Sequence, residues 1–445
     1  MITRTILKSY KYKVFPTIDE KVFFAQWFGC DRFVYNKCAS IIIQQIENKE
    51  KISSNFDLDK KVTLWKKEFP FLKDINSQAL QQTTKNVKKA VDKFFMDIKS
   101  GKKREKVFNW KKKYDPIQSI NFPNYKDNFK FLNDRKVYKK AQIVYAQIPK
   151  LKTKLKVLKH RNWEGAIKNL TLSKNGDNYY LSVQTEQVVS LTDNKPTSTI
   201  GIDVGIKKYV TTSKGEVFKP LNSFRKLEKK LARLQRKFAR CVKFSNNFKR
   251  IKSKINKLHK KIANARKDYL HKISTYLVNN HATIFVEKLM INNMSKSAKG
   301  DLENHGKNVK QKSGLNKSIL DQGWGIFFNQ LKYKQEWKNQ LFDDVSPHHS
   351  SVECCQCHSK HKENRISQAK FVCHDCDNKM NADLNASFNI EYRGYIKQGL
   401  TYNEAQALIN QKLVRNFKYI TSPWAKDVKI NQRKQSISLP VLETI

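Results

Sequence analysis

Two closely spaced pairs of cysteines constrain the fold of this chain more than any other feature of its sequence. Cys354 and Cys357 form one CxxC pair, and Cys373 and Cys376 form a second pair after fifteen intervening residues. Thiolates favour zinc, and the short spacing within each pair lets two sulfur atoms converge on one tetrahedral ion. The sequence therefore predicts a zinc ribbon with one structural Zn²⁺ ion, a small module that has little core of its own.

The residues around these pairs leave part of the ligand assignment open. Cys355 is not needed for a four-thiolate site, and three histidines are alternative ligands: His358, His361 and His374. Scattered free cysteines are the competing interpretation. The regular spacing is instead typical of a metal site in a reducing compartment, and not of a disulfide framework.

Three acidic residues stand where a hydrophobic segment is interrupted or ends. Asp203 lies within the apolar strand pattern IGIDVG, Glu287 ends the pattern TIFVE, and Asp383 begins a predicted helix in NADLNAS. A carboxylate in an apolar strand costs free energy unless it binds a cation or a partner, so a salt bridge to a lysine is the alternative for Asp203. For Asp383 the alternative is a favourable interaction with the helix dipole.

A strand Asp, a strand Glu and a helix Asp are also how ribonuclease-H-like folds build a site for two metal ions. Mg²⁺ prefers hard oxygen ligands, and two such ions about 3.5–4 Å apart stabilise the attacking water and the leaving oxygen in phosphodiester cleavage. We therefore predict a Mg²⁺-dependent nuclease with two ions held by Asp203, Glu287 and Asp383. No GxGxxG, GxxxxGK[ST], HExxH or GxSxG pattern occurs, which disfavours an ATP-driven enzyme.

The charge of the chain predicts a polyanionic partner. There are 88 Lys and Arg against 39 Asp and Glu, a formal net charge of +49. Nucleic acid fits this charge, because phosphate contacts release condensed counterions. A basic but inert surface, enriched in lysine by composition alone, is the alternative.

A basic helical hairpin is predicted over residues 224–269, where apolar residues recur at spacings of three and four on both sides of KFSNNFKR. Between residues 225 and 272 there are nineteen Lys and Arg but two Asp and Glu. A solvated face usually mixes both signs, so we expect a surface that faces phosphates. The candidate contacts are Arg225, Arg233, Arg236, Lys237, Arg250 and Lys261.

The order of patterns predicts several domains. A strand at 3–15, helical patterns from a Thr17 capping box to residue 98, and short strands over 130–187 indicate a β-barrel with an inserted helical domain. No apolar run of about 18 residues and no secretory leader are present. We accordingly expect no membrane association and a cytoplasmic, nucleoid-associated prokaryotic protein.

The C-terminal half has its own predicted elements. After a strand at 281–290 come a polar loop over 292–317 and one helix over 318–341. A short helix over 382–393 follows the cysteines, and the basic tail to residue 445 is interpreted as either an RNA-binding appendage or disordered.

At this point the chain resembles the TnpB (OrfB) family of transposon-encoded RNA-guided endonucleases, which are related to compact type V CRISPR effectors. The resemblance covers residues 4–393. Its motifs are YKYKVFPT with FGCDRFVYN, IPKLKTKLKVLKHRNWEGAIKNLTLS, GIDVGIKKYVTTSKGE, VEKLMINNM, LDQGWGIFFNQLKYK and the cysteine pairs with NADLNASFNI.

The resemblance implies an α+β multidomain fold. A wedge β-barrel (1–16 and 124–196) would carry an inserted helical recognition domain (17–123). A RuvC, ribonuclease-H-like nuclease domain with an inserted helical hairpin (197–345 and 380–393) would contain the zinc ribbon (346–379). A basic tail (394–445) would follow.

The resemblance also implies partners and roles. A guide RNA would select double-stranded target DNA, and the protein itself would read only a short flanking motif. Candidates for that contact are Gln78, Gln82 and Lys85, for which ordinary solvated helix residues are an equal alternative. Arg365 would be a catalytic residue near the scissile phosphate. Asn381 departs from the Asp that the family often has there. A monomer and a dimer on one RNA both remain open.

Three other functions are alternatives for a chain with these motifs. A compact type V CRISPR effector differs from the leading prediction only in the origin of its guide. A guided DNA-binding repressor would not need the three intact carboxylates. A transposase that joins DNA ends is disfavoured by the basic hairpin and by a zinc ribbon between the second and third acidic motifs.

Overall fold

The computed structural model of the chain describes residues 3–102, 104–123, 130–138, 141–190, 198–301 and 303–415. The chain divides into two compact units, residues 1–190 and 191–445. No helix in the described ranges is long and apolar enough to cross a membrane. The tail beyond residue 415 and the predicted linker at 191–197 lie outside the described residues.

The described residues of the first unit contain seven strands and three α-helices. The strands are β1 Thr3–Val14, β2 Ile117–Pro123, β3 Lys130–Tyr138, β4 Ala141–Gln147, β5 Leu155–Lys159, β6 Ala166–Asn175 and β7 Asn178–Ser190. The helices are α1 Ile18–Glu47, α2 Asn55–Glu68 and α3 Ser77–Lys99.

These strands form one sheet in the order β2-β6-β7-β1-β5-β4-β3. Every pairing in it is antiparallel, and Gly176 adopts a positive φ in the turn between β6 and β7. The predicted β-barrel corresponds to this sheet, but in the described residues the outer strands β2 and β3 do not pair to close it. β2 also belongs to the sheet although it precedes the predicted boundary at residue 124.

Helix α1 begins at the predicted capping box and packs on the sheet. The Thr17 side chain accepts from the backbone N–H of Glu20, whose carboxylate accepts from the N–H of Thr17. The buried Trp27 contacts Phe122 of β2 edge to face, with ring centroids 5.5 Å apart. Burial of such aromatic side chains joins the helices and the sheet in one hydrophobic core.

The second unit, as far as its residues are described (198–301 and 303–415), contains a five-stranded sheet, a two-stranded ribbon and seven α-helices. The strands are β8 Thr199–Val204, β9 Val210–Thr212, β10 Val217–Phe218, β11 Thr283–Glu287, β12 Leu341–Val345, β13 Lys370–Val372 and β14 Lys379–Asn381. The helices are α4 Glu228–Ala239, α5 Asn246–Asn280, α6 Ile291–Met294, α7 Val309–Gln322, α8 Trp324–Trp337, α9 Ala382–Lys397 and α10 Tyr402–Arg415.

The larger sheet has the order β10-β9-β8-β11-β12. Its three strands β8, β11 and β12 run parallel, so their carboxyl ends lie at the same edge. Helix α9 packs closely across β8. There is no room for a side chain at Gly201, where a Cβ would stand 2.1 Å from the carbonyl oxygen of Ser387. The sheet and α9 therefore position residues at this edge as one body.

The predicted basic hairpin is present as α4 and α5. Its seam is the small cluster of Leu231, Leu258 and Ile262. The hairpin is fixed at its base by the buried Asp321, which accepts from the backbone N–H of Phe224 and from the guanidinium of Arg266.

Three predictions about the C-terminal half are wrong. The single helix over 318–341 is two helices, because Gly323 between them adopts a left-handed φ of 69° that favours glycine. The segment 292–317, which was predicted to be a loop, contains part of α6 and the first residues of α7. Residues 394–415 of the predicted tail are the end of α9 and helix α10, whose Ala405 and Ile409 are buried.

Candidate metal centres

Asp203 and Glu287 lie at the carboxyl ends of neighbouring parallel strands. Ile202 of β8 and Val286 of β11 are paired in register, and each carboxylate is the next residue along its strand. The strands themselves are buried, so both acidic side chains stand where the apolar core ends. This edge is where parallel sheets commonly hold their ligands.

Asp383 enters the same region from the first turn of α9. The N-cap of that helix is Asn381, whose side-chain oxygen accepts from the N–H groups of Asp383 and Leu384. Asn381 therefore caps the helix, while Asp383 in the first turn keeps a favourable position relative to the helix dipole. The carboxylate of Asp383 is left available for other contacts.

The three carboxylates influence one another electrostatically. Burial, and then the negative charges of Glu287 and Asp383, raise the pKa of Asp203 to about 8, against a smaller lowering by Arg365. Burial also raises the pKa of Glu287, while the hydrogen bond donated by the Ser350 hydroxyl and the charge of Arg393 lower it. Such crowding of buried carboxylates is costly unless a cation compensates it.

Two cationic side chains lie beside Asp383. The Nζ of Lys208 is 3.6 Å from one carboxylate oxygen, and the Nη2 of Arg365 is 3.8 Å from the other. Lys208 also donates to the side-chain oxygen of Asn381, at 3.0 Å. A cationic rim therefore borders the acidic cluster, which is the distribution of charge that a phosphate group would meet favourably.

The donor set of the cluster fits hard divalent cations, because all three side chains offer carboxylate oxygens. Among the described residues, two groups place one ligand atom of each member within 4.8 Å of all the others, and the three carboxylates are not one of them. At least two of the three carboxylates therefore lie farther apart than this limit allows for the ligands of a single ion.

The four predicted zinc cysteines do form one of those two groups. The Sγ atoms of Cys354 and Cys376 are 3.7 Å apart, and those of Cys357 and Cys373 are 3.5 Å apart. Burial raises the pKa of Cys373, but hydrogen bonds from the backbone N–H groups of Cys376 and Asp375 outweigh burial and lower that pKa to about 7, whereas burial raises the pKa of Cys357 and of Cys376. The geometry of the four sulfur atoms fits a tetrahedral four-thiolate zinc site.

The neighbouring residues that were alternative ligands have other contacts. The buried thiol of Cys355 lies 3.8 Å from the Sδ of Met380. His358 contacts the carboxylate of Glu353 and the side chain of Gln406. His361 and His374 both approach Asp375 in the second group, outside the cluster of sulfur atoms.

The predicted nucleic-acid contacts lie on two helical surfaces. Gln78, Gln82 and Lys85 share one face of α3, where the two glutamines are half-buried and Lys85 is exposed. The six hairpin residues are all exposed. Arg225 already donates to Glu228, Gly314 and Ser318, so part of its role is to hold the hairpin against α7.

Three residues that border the carboxylates or hold helix α9 in place were missed by sequence reasoning. Lys208 follows Asp203 by five positions in an ordinary basic turn, and Ser350 lies 63 positions from the carboxylate that it contacts. Neither residue lies in a local sequence pattern that would carry a signal of its role. Glu391 does carry one, because it is a charged residue in the apolar part of α9 and is fully buried there.

Comparisons with known proteins place several segments in families. Residues 181–298 match the OrfB_IS605 model, described as "Probable transposase", and residues 324–390 match the Cas12f1-like TNB domain. Residues 1–51 match a model described as a helix-turn-helix domain, although here they contain a strand and one helix of 30 residues.

Whole-chain relatives are also found. The chain is 39% identical over 394 residues to "Putative RNA-guided DNA endonuclease InsQ" of Escherichia coli (strain K12), covering 87% of this chain and 92% of that protein. It is 26% identical to "Putative RNA-guided DNA endonuclease" of Streptomyces pristinaespiralis, over 86% and 89%. The solved Cas12f1-sgRNA-target DNA complex matches with a TM-score of 0.44 and 13% identity, over 87% of this chain and 98% of that one, which is too distant to support a functional argument.

Proposed function

Since this chain belongs to the TnpB (OrfB) family of RNA-guided DNA endonucleases, we propose that it cuts DNA by Mg²⁺-dependent hydrolysis at Asp203, Glu287 and Asp383. The observation that carries the proposal is the convergence of these three carboxylates at one edge of the sheet, where burial and mutual repulsion raise the pKa of Asp203 to about 8. In this proposal residues 197–345 and 380–393 form a RuvC-type nuclease domain that encloses the zinc ribbon of 346–379.

Asp203, Glu287 and Asp383 would hold two Mg²⁺ ions. Bound there, the ions would supply Lewis acidity and a water of lowered pKa for in-line attack on the phosphodiester. The hydroxyl of Ser350 donates to Glu287 and thereby fixes the orientation of that carboxylate.

Arg365 and Lys208 would bind the scissile phosphate from the side of Asp383. Their cationic groups lie 3.8 and 3.6 Å from that carboxylate, within reach of a phosphate placed against the acidic cluster. A guanidinium can donate two parallel hydrogen bonds to phosphate oxygens, which would orient the group for attack. Both side chains have a second contact, since Lys208 donates to Asn381 and Arg365 to the carbonyl oxygen of Gln368, but the five N–H donors of the guanidinium make Arg365 the better candidate.

The partners in this proposal are a guide RNA and double-stranded target DNA. Pairing with the guide would select the sequence, while the exposed cations of the α4–α5 hairpin would contact phosphates of the nucleic acid. The face of α3 with Gln78, Gln82 and Lys85 would contact the flanking motif. Side-chain amides read base edges through paired hydrogen bonds, which supports this choice of residue types.

The first experiment asks whether the activity is guided. The protein is purified from its native locus, the RNA that accompanies it is sequenced, and the complex is given a plasmid library with a randomised flank beside the matching target. We expect a transposon-end RNA and cutting restricted to one flanking motif. A repeat-derived RNA would indicate the CRISPR effector instead, and equal cutting without RNA would refute guidance.

The second experiment tests the site. Asp203→Asn removes one charge with little change in volume, and we expect it to abolish Mg²⁺-dependent cutting while RNA-dependent target binding persists. Asp301→Asn is the matched control, because Asp301 is an exposed carboxylate in the same unit. If the Asp203 variant still cuts at the parent rate, the assignment of the site is wrong.

A further inference from the structure

The outer side of the zinc ribbon carries a second cluster of metal-binding side chains that the nuclease chemistry does not use. His361, His374 and Asp375 each offer a ligand atom, and these atoms all lie within 4.8 Å of one another. We propose that they form a second metal site, separate from the four cysteines, that takes a first-row divalent transition-metal ion such as Ni²⁺, Co²⁺ or Zn²⁺.

Two of the three distances are close to those between ligands of one ion, and the two histidine nitrogens lie within 4.8 Å of each other. One oxygen of Asp375 lies 3.5 Å from Nε2 of His361 and 3.2 Å from Nδ1 of His374. Donors about 2.0–2.1 Å from a tetrahedral zinc ion stand roughly 3.3–3.4 Å apart. An ion can therefore enter between the carboxylate and the two rings with small side-chain adjustments.

The donor types select the class of metal. Imidazole nitrogen suits zinc, copper, iron and nickel, whereas Mg²⁺ prefers an all-oxygen set. Two imidazoles with one carboxylate thus separate this site chemically from both the thiolate cluster and the carboxylate cluster. The exposed fractions of the three side chains are 51% for His361, 72% for His374 and 47% for Asp375, so water would complete the coordination.

The backbone of the ribbon holds the ligands in place before any ion arrives. His374 and Asp375 are the two residues between Cys373 and Cys376, so the zinc site fixes their position. His361 comes from the segment after the first cysteine pair. The fully buried Asn364 joins the two segments, because its side chain accepts from the N–H of His374 at 2.8 Å and donates to the carbonyl oxygens of Val352 and Ser359.

This preorganisation has a consequence for affinity. Ligands on flexible segments lose conformational entropy when they converge on an ion, and here much of that loss has already occurred on folding. The zinc ion already links the segments that contain the two cysteine pairs, and the second ion would add another link between them. Its binding should therefore raise the thermal stability of the ribbon in addition to changing the metal content.

The test measures metal uptake by the full-length protein with zinc already bound at the cysteines. The protein is dialysed against a series of Ni²⁺ concentrations in a large excess of Mg²⁺, which competes for the carboxylate cluster, and bound nickel and zinc per chain are counted by mass spectrometry. We expect one additional nickel ion per chain with no loss of zinc. Co²⁺ uptake should give weak d–d absorption without the intense thiolate charge-transfer band of a cysteine site.

Two variants of the cluster and one control variant decide whether the ion binds there. His361→Ala with His374→Ala should lose the additional ion, whereas His259→Ala with His305→Ala removes two exposed histidines elsewhere and should keep it. Asp375→Asn should need at least a tenfold higher Ni²⁺ concentration for half-saturation. Zinc content and thermal unfolding confirm that each variant is folded.

Two results would overturn the proposal. One is the absence of any additional uptake by the parent protein. The other is equal uptake by the parent and by Asp375→Asn together with the double-histidine variant. If the double variant loses zinc, the comparison rests on Asp375→Asn alone, and an unchanged half-saturation concentration then refutes the site.

Discussion

Replacing Gly201 with alanine should separate the strand that carries Asp203 from the helix that carries Asp383. A Cβ at residue 201 would stand 2.1 Å from the carbonyl oxygen of Ser387 and 2.6 Å from the backbone nitrogen of Glu391. Ordinary van der Waals contact begins at 3.4 Å, so the gap must open by about 1.3 Å. Both neighbours are backbone atoms and cannot rotate away.

The size of the effect follows from this displacement. Overpacking a tight core costs about 1–3 kcal/mol. In a unit of this size each kcal/mol lowers the melting temperature by about 2–4 °C, so a fall of about 2–12 °C is expected. A shift of about 1 Å in the catalytic geometry can cost about 100-fold in rate, and we expect cutting to slow by about that factor.

The assay compares Gly201→Ala with Gly314→Ala. Gly314 lies within α7, and a Cβ there meets no atom within 4 Å, so alanine should leave stability unchanged or raise it by about 0.5–1 kcal/mol. Calorimetric unfolding and single-turnover cleavage with saturating guide RNA and Mg²⁺ are measured for both. A Gly201→Ala protein with the parent melting temperature and cutting rate would refute the close packing of β8 against α9 and its role in catalysis.

Three further predictions concern the zinc, the hairpin and the metal-binding carboxylates. Cys373→Ser should lower the zinc content from one ion to none and destabilise the ribbon, whereas Cys355→Ser should keep the ion; an unchanged zinc content in the first variant would contradict the site. Asp321→Ala leaves the guanidinium of Arg266 without its buried partner and should lower the free energy of unfolding by about 3–5 kcal/mol, measured by chemical denaturation; a loss under about 1 kcal/mol would exclude the anchoring role. Because burial and the neighbouring carboxylates raise the pKa of Asp203 to about 8, protons compete with Mg²⁺ below that pH. The Mg²⁺ concentration for half-maximal cutting should therefore rise, by up to about tenfold per pH unit, as pH falls from 8 to 6.5, and a flat profile would contradict it.

The features that sequence predicted well are those whose physical cause is local. Two CxxC pairs specify a metal-binding geometry within a few residues of each sulfur atom, and the apolar repeat of α4 and α5 specifies a seam at helical spacing. Asp203 and Glu287 were identifiable because an ionisable group in an apolar strand is unusual wherever it occurs. Each of these features can be recognised without knowing which distant segment of the chain packs beside the residue.

The features that sequence missed depend on distant partners or on backbone conformation. The break at Gly323 requires a left-handed φ, and a single glycine in an apolar helical pattern does not specify that conformation. Ser350 reaches Glu287 from 63 residues away, through a loop with no periodicity. The meeting of His361 with His374 and Asp375 exists only after the ribbon has folded.

The start of the predicted tail at residue 394 was wrong for a related reason, because residues up to 397 continue α9 and residues 402–415 form α10, while RNA binding by the tail stays a prediction. Glu391 lies eight residues after Asp383 on α9 and is fully buried, where an unpaired carboxylate would be strongly destabilising. It accepts from the hydroxyl of Ser213, which follows β9, and from the ammonium group of Lys412 on α10. Helix α10 therefore supplies the cation that lets α9 lie against the sheet with Glu391 buried. Because the same helix α9 presents Asp383 to Asp203, residues 402–415 belong to the framework that positions the carboxylates and are not an appendage to it.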